Sequence, residues 1–96
     1  MIMLFANKIR RLRIEQKLLQ RQLAAALEID TPMYSKIERG ERPAKRTQVI
    51  ALAQLLSTDE TELLTLWLAD KVIEVLDDEK ELAGKVLEKV LKNTKN

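Results

Sequence analysis

The chain has 96 residues, 46% of them apolar and 33% charged, which describes one small globular domain rather than a disordered or membrane-spanning chain. It holds no cysteine and no histidine, which excludes disulfides, thiolate or imidazole metal sites and the usual general base. The net charge of +2 hides an asymmetry: residues 1–56 carry 11 Lys/Arg against 5 Asp/Glu, and residues 57–96 carry 6 against 10, the pattern of a polyanion-binding module joined to a part that should avoid the polyanion.

The apolar start, Met1 to Ala6, is too short for a signal peptide and reads as the opening of a helix. No run reaches membrane-spanning length, so a cytoplasmic location without membrane contact is expected. The first helix is predicted over Leu4–Lys17, with Phe5, Ile9 and Leu12 facing the core and Lys8, Arg11 and Lys17 on or near the surface. Leu18-Leu19 connects it to a second helix, Gln20–Leu27, whose Leu23, Ala24 and Leu27 share one face. A break follows at Glu28-Ile29-Asp30. The third helix runs from Pro32 to Arg39: Asp30 and Thr31 are good caps, Pro32 suits a first turn, and Gly40 suits a left-handed stop. Two helices about a tight turn, with Ala24, Ile29 and Ile37 packing the inside of the corner, make a helix-turn-helix candidate. The outer face of the third helix is left polar, with Thr31, Ser35, Lys36 and Arg39.

Glu41 to Ala44 has turn character. A fourth helix spans Lys45–Leu56, carrying Val49, Ile50, Leu52, Ala53 and Leu56. Asp59 with Glu62 fits a capping box and opens a fifth helix, which either reaches Leu76 or bends near Ala69-Asp70. Asp77-Asp78-Glu79 reads as a break and as the acidic N-terminus of a last helix with an apolar stripe of Leu82, Ala83, Val86, Leu87, Val90 and Leu91. Its basic end, Lys92 to Asn96, is expected to fray. No segment alternates as a strand does, so the fold class is all-α.

Leu18-Leu19-Gln20, Leu23-Ala24, Ile29 and the run Tyr34-Ser35-Lys36-Ile37-Glu38-Arg39-Gly40 together resemble the lambda-repressor-like (Cro/XRE) helix-turn-helix family over about residues 5–68. The resemblance implies a five-helix DNA-binding domain at 1–68 and a C-terminal helical extension at 69–96. It places Thr31, Pro32, Met33, Ser35 and Lys36 against base edges in the major groove, with Lys36 donating to guanine. Gln20, Arg39, Arg42, Lys45 and Arg46 would hold phosphates. Arg13 and Glu38 would form a partly buried salt bridge that sets the angle of the third helix. Three residues depart from the family pattern. Leu19 removes the usual cap of the second helix, Glu28 takes the place of a turn glycine and invites a positive φ, and Tyr34 brings a hydroxyl that needs a partner.

The extension is expected to pack on the same domain or to join two copies, with Trp67, Leu82, Val86, Leu87 and Val90 as interface candidates. A homodimer matches a palindromic operator. The expected activity is that of a sequence-specific transcriptional regulator of double-stranded DNA; repression by occluding RNA polymerase and activation by touching it both fit. An antitoxin that binds its own promoter while holding a toxin, and a helical adaptor without DNA binding, are the alternatives. No enzyme activity, catalytic residue, metal or cofactor is expected.

Overall fold

The computed structural model describes residues 3–95; Met1, Ile2 and Asn96, and the readings that fall on them, lie outside it. Six helices follow in order: α1 (Leu4–Glu15), α2 (Gln20–Ala26), α3 (Thr31–Glu38), α4 (Arg46–Leu55), α5 (Glu60–Leu76) and α6 (Ala83–Thr94), and the described residues contain no strand. None of these helices is long and apolar enough to cross a membrane.

The core gathers one face from each of the first five helices. Phe5 and Ile9 of α1, Leu23 and Ala24 of α2, Tyr34 and Ile37 of α3, Val49, Leu52 and Ala53 of α4 and Leu63 of α5 are buried together, with Leu56 just beyond α4. Fully burying each large aliphatic side chain is worth roughly 1.5–3 kcal/mol, so this cluster holds the α1–α5 unit together. Ala24 and Ile37 fill the inside of the α2–α3 corner, and Ile29 packs half-buried against them.

Helix ends obey local chemistry. Asp30 caps α3 through Met33 N–H at 2.7 Å, and Asp59 caps α5 through Glu62 N–H at 2.8 Å. The reciprocal half of the Asp59 capping box is not made, because the Glu62 carboxylate turns to Lys8 Nζ at 3.4 Å. Leu19 offers no acceptor, as its side chain requires, yet α2 is partly capped: Gln22 Oε1 accepts Leu19 N–H at 2.7 Å. Gln48 does the same for Lys45 N–H at 2.9 Å at the start of α4.

At their C-terminal ends, α1 to α4 each stop on a residue with positive φ: Lys17, Glu28, Gly40 and Ser57. After each one the next N–H reaches back five residues, as Ile29 does to Ala24 O at 3.0 Å and Glu41 to Lys36 O at 2.8 Å. Only Gly40 adopts this conformation without a Cβ. Glu28, at φ 59°, carries the strain its place in the turn predicts.

The N-terminus of α1 is capped from far along the chain. Asp70 of α5 accepts Leu4 N–H on Oδ1 and Phe5 N–H on Oδ2, both at 2.9 Å. α5 therefore does not bend near Ala69-Asp70; it runs on to Leu76 and closes over the start of α1. We expect Asp70→Ala to cost about 1–2 kcal/mol, in the range of a lost helix cap, read as a lower urea midpoint with an unchanged slope.

The chain beyond α5 behaves otherwise. A single helical turn, closed by Leu82 and Ala83 N–H to Glu79 O, separates α5 from α6, so the acidic run at 77–79 lies one turn before the last helix rather than in its first turn. α6 has no buried residue. Of the extension expected to pack on the same domain or to join two copies, Asp70 and Ile73 belong to the body, whereas α6 projects from it. The radius of gyration, 15.0 Å, exceeds the roughly 12.5 Å of a compact chain of this length, as a projecting arm requires. α6 extends to Thr94, whose hydroxyl donates to Val90 O at 2.9 Å.

Candidate nucleic-acid interface

α3 has two faces of opposite character. Tyr34, Ile37 and Glu38 point inward and are buried; Thr31, Pro32, Lys36 and Arg39 are exposed, with Met33 and Ser35 half-buried beside them. No apolar cover lies over Thr31 or Lys36 among the described residues, and the Asp30 cap and Pro32 fix the first turn. The five proposed base-reading residues are thus brought to one rim.

An ion pair beneath α3 sets its orientation. Arg13 Nε donates to Glu38 Oε2 at 2.9 Å, Nη2 donates to Oε1 at 2.7 Å, and Nη1 reaches Leu18 O at 3.0 Å. The Glu38 side chain is 2% exposed and that of Arg13 14%. This pair ties α1, the α1–α2 connection and α3 at one point. Burial opposes the Glu38 charge, but hydrogen bonds led by Arg13 more than compensate and hold its carboxyl below the usual range. The bond to Glu38 raises Arg13 in turn. Tyr34 lies alongside with its hydroxyl buried and unpaired among the described residues; burial first, and the neighbouring carboxylate second, push its phenol well above the usual range.

Gln20 is not simply a surface amide at the start of α2. Its Nε2 donates to Glu38 Oε1 at 3.3 Å, so one hydrogen already serves the buried pair. Arg39 is likewise engaged. Nε meets Glu41 Oε2 at 2.6 Å and Nη1 donates to Ser35 Oγ at 2.8 Å. Glu41 thereby places a carboxylate inside the basic cluster, a competitor for Arg39 that charge counting alone does not show. Both groups are solvent-exposed, so the pair is cheap to break. Arg42, Lys45 and Arg46 are exposed along the loop after α3 and at the start of α4. Arg21, in the first turn of α2, is exposed as well.

Trp67, one of the expected interface residues, makes contacts within its own chain. Its Nε1 donates to Ala44 O at 2.9 Å, pinning the α3–α4 loop to α5. Lys71 Nζ sits 4.0 Å from the ring centroid and the Arg46 guanidinium carbon 5.6 Å, both within cation–π range. The indole serves its own chain, fastening the loop that carries Arg42 and holding Arg46 close to it.

The family model for the helix-turn-helix domain matches residues 4–66, from the first residue of α1 into α5. The chain belongs to the helix-turn-helix domain family. No curated protein and no solved structure matches it. The matched span covers α1 to α4 and the start of α5 through Leu66, and leaves out the rest of α5 and all of α6. For a helix-turn-helix domain, the implied partner is DNA, met by the second helix of the pair, which here is α3.

Proposed function

We propose that the protein is a sequence-specific transcriptional regulator of double-stranded DNA, acting in the cytoplasm as a homodimer on a palindromic operator. The observation that carries this reading is the bare outer side of α3: Thr31, Pro32 and Lys36 are exposed on a short, well-capped helix, followed in the chain by exposed Arg39, Arg42, Lys45 and Arg46. Thr31, Met33, Ser35 and Lys36 read base edges, with Pro32 and Met33 available to a thymine methyl. The cations and Gln20 neutralise or hold phosphates and set the register. Glu38 and Arg13 do not touch DNA; they hold the angle at which α3 enters the groove.

Selection of bound duplexes from a random pool, followed by anisotropy titration, tests the reading. A palindromic consensus is expected. On that consensus, Lys36→Ala relaxes preference at one base position, losing roughly 1–3 kcal/mol of discrimination, while affinity for random duplex changes far less. Absence of any retained duplex would favour the adaptor reading instead. The antitoxin reading keeps the DNA-facing half and differs in what covers the apolar stripe of α6, which the chain itself leaves open.

A further inference from the structure

The start of α1, the loop between α3 and α4 and the second half of α5 enclose a cleft of about 330 Å³. That volume lies within the range of small-molecule sites. Phe5, Ala6, Ile37, Ala44, Trp67 and Ile73 give it an apolar lining. Its charged groups are Glu41, Arg42, Asp70, Lys71, Glu74 and Asp77. Two of the carboxylates are already engaged: Glu41 meets Arg39, and both oxygens of Asp70 accept N–H groups of α1. Glu74 and Asp77 pair with no cation among the described residues. They stand at the C-terminal end of α5, whose last turn holds no basic residue. That end is the negative pole of the helix, so carboxylates placed there are unfavourable until a cation answers them.

The Trp67 ring shows what kind of cation the cleft accepts. Lys71 sets its Nζ 4.0 Å from the ring centroid and makes no ion pair among the described residues; the Arg46 guanidinium stands farther off, at 5.6 Å. A tethered alkylammonium therefore already rests on the aromatic part of the lining. We infer that this cleft binds a small organic cation, an apolar body bearing one protonated amine, which takes the place of the Lys71 ammonium on Trp67 and is drawn in by Glu74 and Asp77. The body of such a ligand gains from the apolar lining, and its charge from the ring and the two carboxylates. A neutral ligand leaves the carboxylates unanswered, and an anion meets them as like charges. The inference stands apart from the DNA reading. It touches that reading at one place: the loop that lines the cleft also carries Arg42.

Trp67 is the single tryptophan of the chain, so its emission reports from the cleft itself. The probe is benzylamine, with benzyl alcohol and benzoate as neutral and anionic counterparts, titrated into the full chain at matched ionic strength. Benzylamine is expected to change the emission saturably and to bind about tenfold more tightly than benzyl alcohol, the share of a partly desolvated cation–π contact. Benzoate is expected to leave the emission unchanged. Glu74→Gln with Asp77→Asn should reduce the amine to the affinity of the alcohol. Lys71→Gln vacates the ring and removes a like charge, so it should tighten benzylamine about threefold more than it tightens benzyl alcohol. All three positions are exposed, so these variants should keep the fold. No saturable change up to about 50 mM benzylamine overturns the inference, since even a fragment of modest ligand efficiency reports by then. So does alcohol or benzoate bound as tightly as the amine, a preference for the amine that survives loss of both carboxylates, or a Lys71→Gln chain that binds it more weakly. None of these titrations contains DNA, so their failure spares the DNA reading, and a duplex selection that retains nothing spares this site.

Discussion

Replacing Arg13 with methionine should lower folding stability by about 3–5 kcal/mol, the cost of leaving a buried carboxylate without its partner. For a domain this small that is a fall in melting temperature on the order of 15–25 °C. The size follows from the geometry. Glu38 is almost wholly buried, and three of the four hydrogen bonds it accepts come from the Arg13 guanidinium. The weak amide bond from Gln20 cannot replace them. The pH dependence supplies a signature of its own. In the native chain the folded-state pKa of Glu38 lies below its ordinary value of 4.5. The stability it contributes is therefore complete above that value and is lost as pH falls through the folded pKa. In Arg13→Met the balance inverts, because burial then acts on the carboxyl with little to oppose it. Its folded pKa rises above the ordinary value, and the variant gains stability as pH falls toward 4.5. The gap between the two proteins should narrow on acidification, measured as melting temperature against pH. A gap that widens below pH 5 would show that Glu38 is not the group responsible.

Much of the architecture is legible where the causes are local. Asp30, Pro32 and Gly40 mark both ends of α3, Asp59 marks the start of α5, and apolar spacing gives the buried face of each of the first five helices. Glu28 is legible only against the family resemblance, while Lys17 and Ser57 adopt the same left-handed turn with nothing in their side chains to announce it. Contacts made across the chain leave no local mark. Asp70 caps a helix that starts 66 positions earlier, and Trp67 donates to a carbonyl 23 positions away. Both side chains sit in a helical pattern that reads equally well as surface or seam. The apolar stripe of α6 is the converse case: its spacing shows that it should be covered, yet amphipathicity carries no address for the cover. At the interface, the outer face of α3 follows from period and caps. The Arg39–Glu41 pair does not, because adjacent opposite charges on a loop pair or diverge according to backbone direction.

Raising salt from 50 to 200 mM should weaken binding to the selected duplex by about 10³–10⁵-fold, if a dimer engages the 6–10 phosphates its cation sets can reach. Each copy offers Lys36, Arg42, Lys45 and Arg46 free of ion pairs among the described residues, and Arg39 once it leaves Glu41. Arg42→Ala and Lys45→Ala should each reduce the slope of log affinity against log salt by about 1 per contact removed, and should weaken specific and random duplexes alike. Glu41→Gln should act the other way. It frees Arg39 and withdraws a negative charge from the contact surface, so affinity rises at every salt concentration without a change in base preference. Arg46 offers a finer discrimination, since its place depends on the Trp67 ring. Trp67→Leu keeps the cation but removes both the ring and the bond to Ala44, so it should weaken phosphate binding through a loosened loop while leaving the charge count intact. Affinity that ignores salt across this range would mean that the basic rim never meets a phosphate backbone, and the reading of α3 as a groove-binding helix would fall with it.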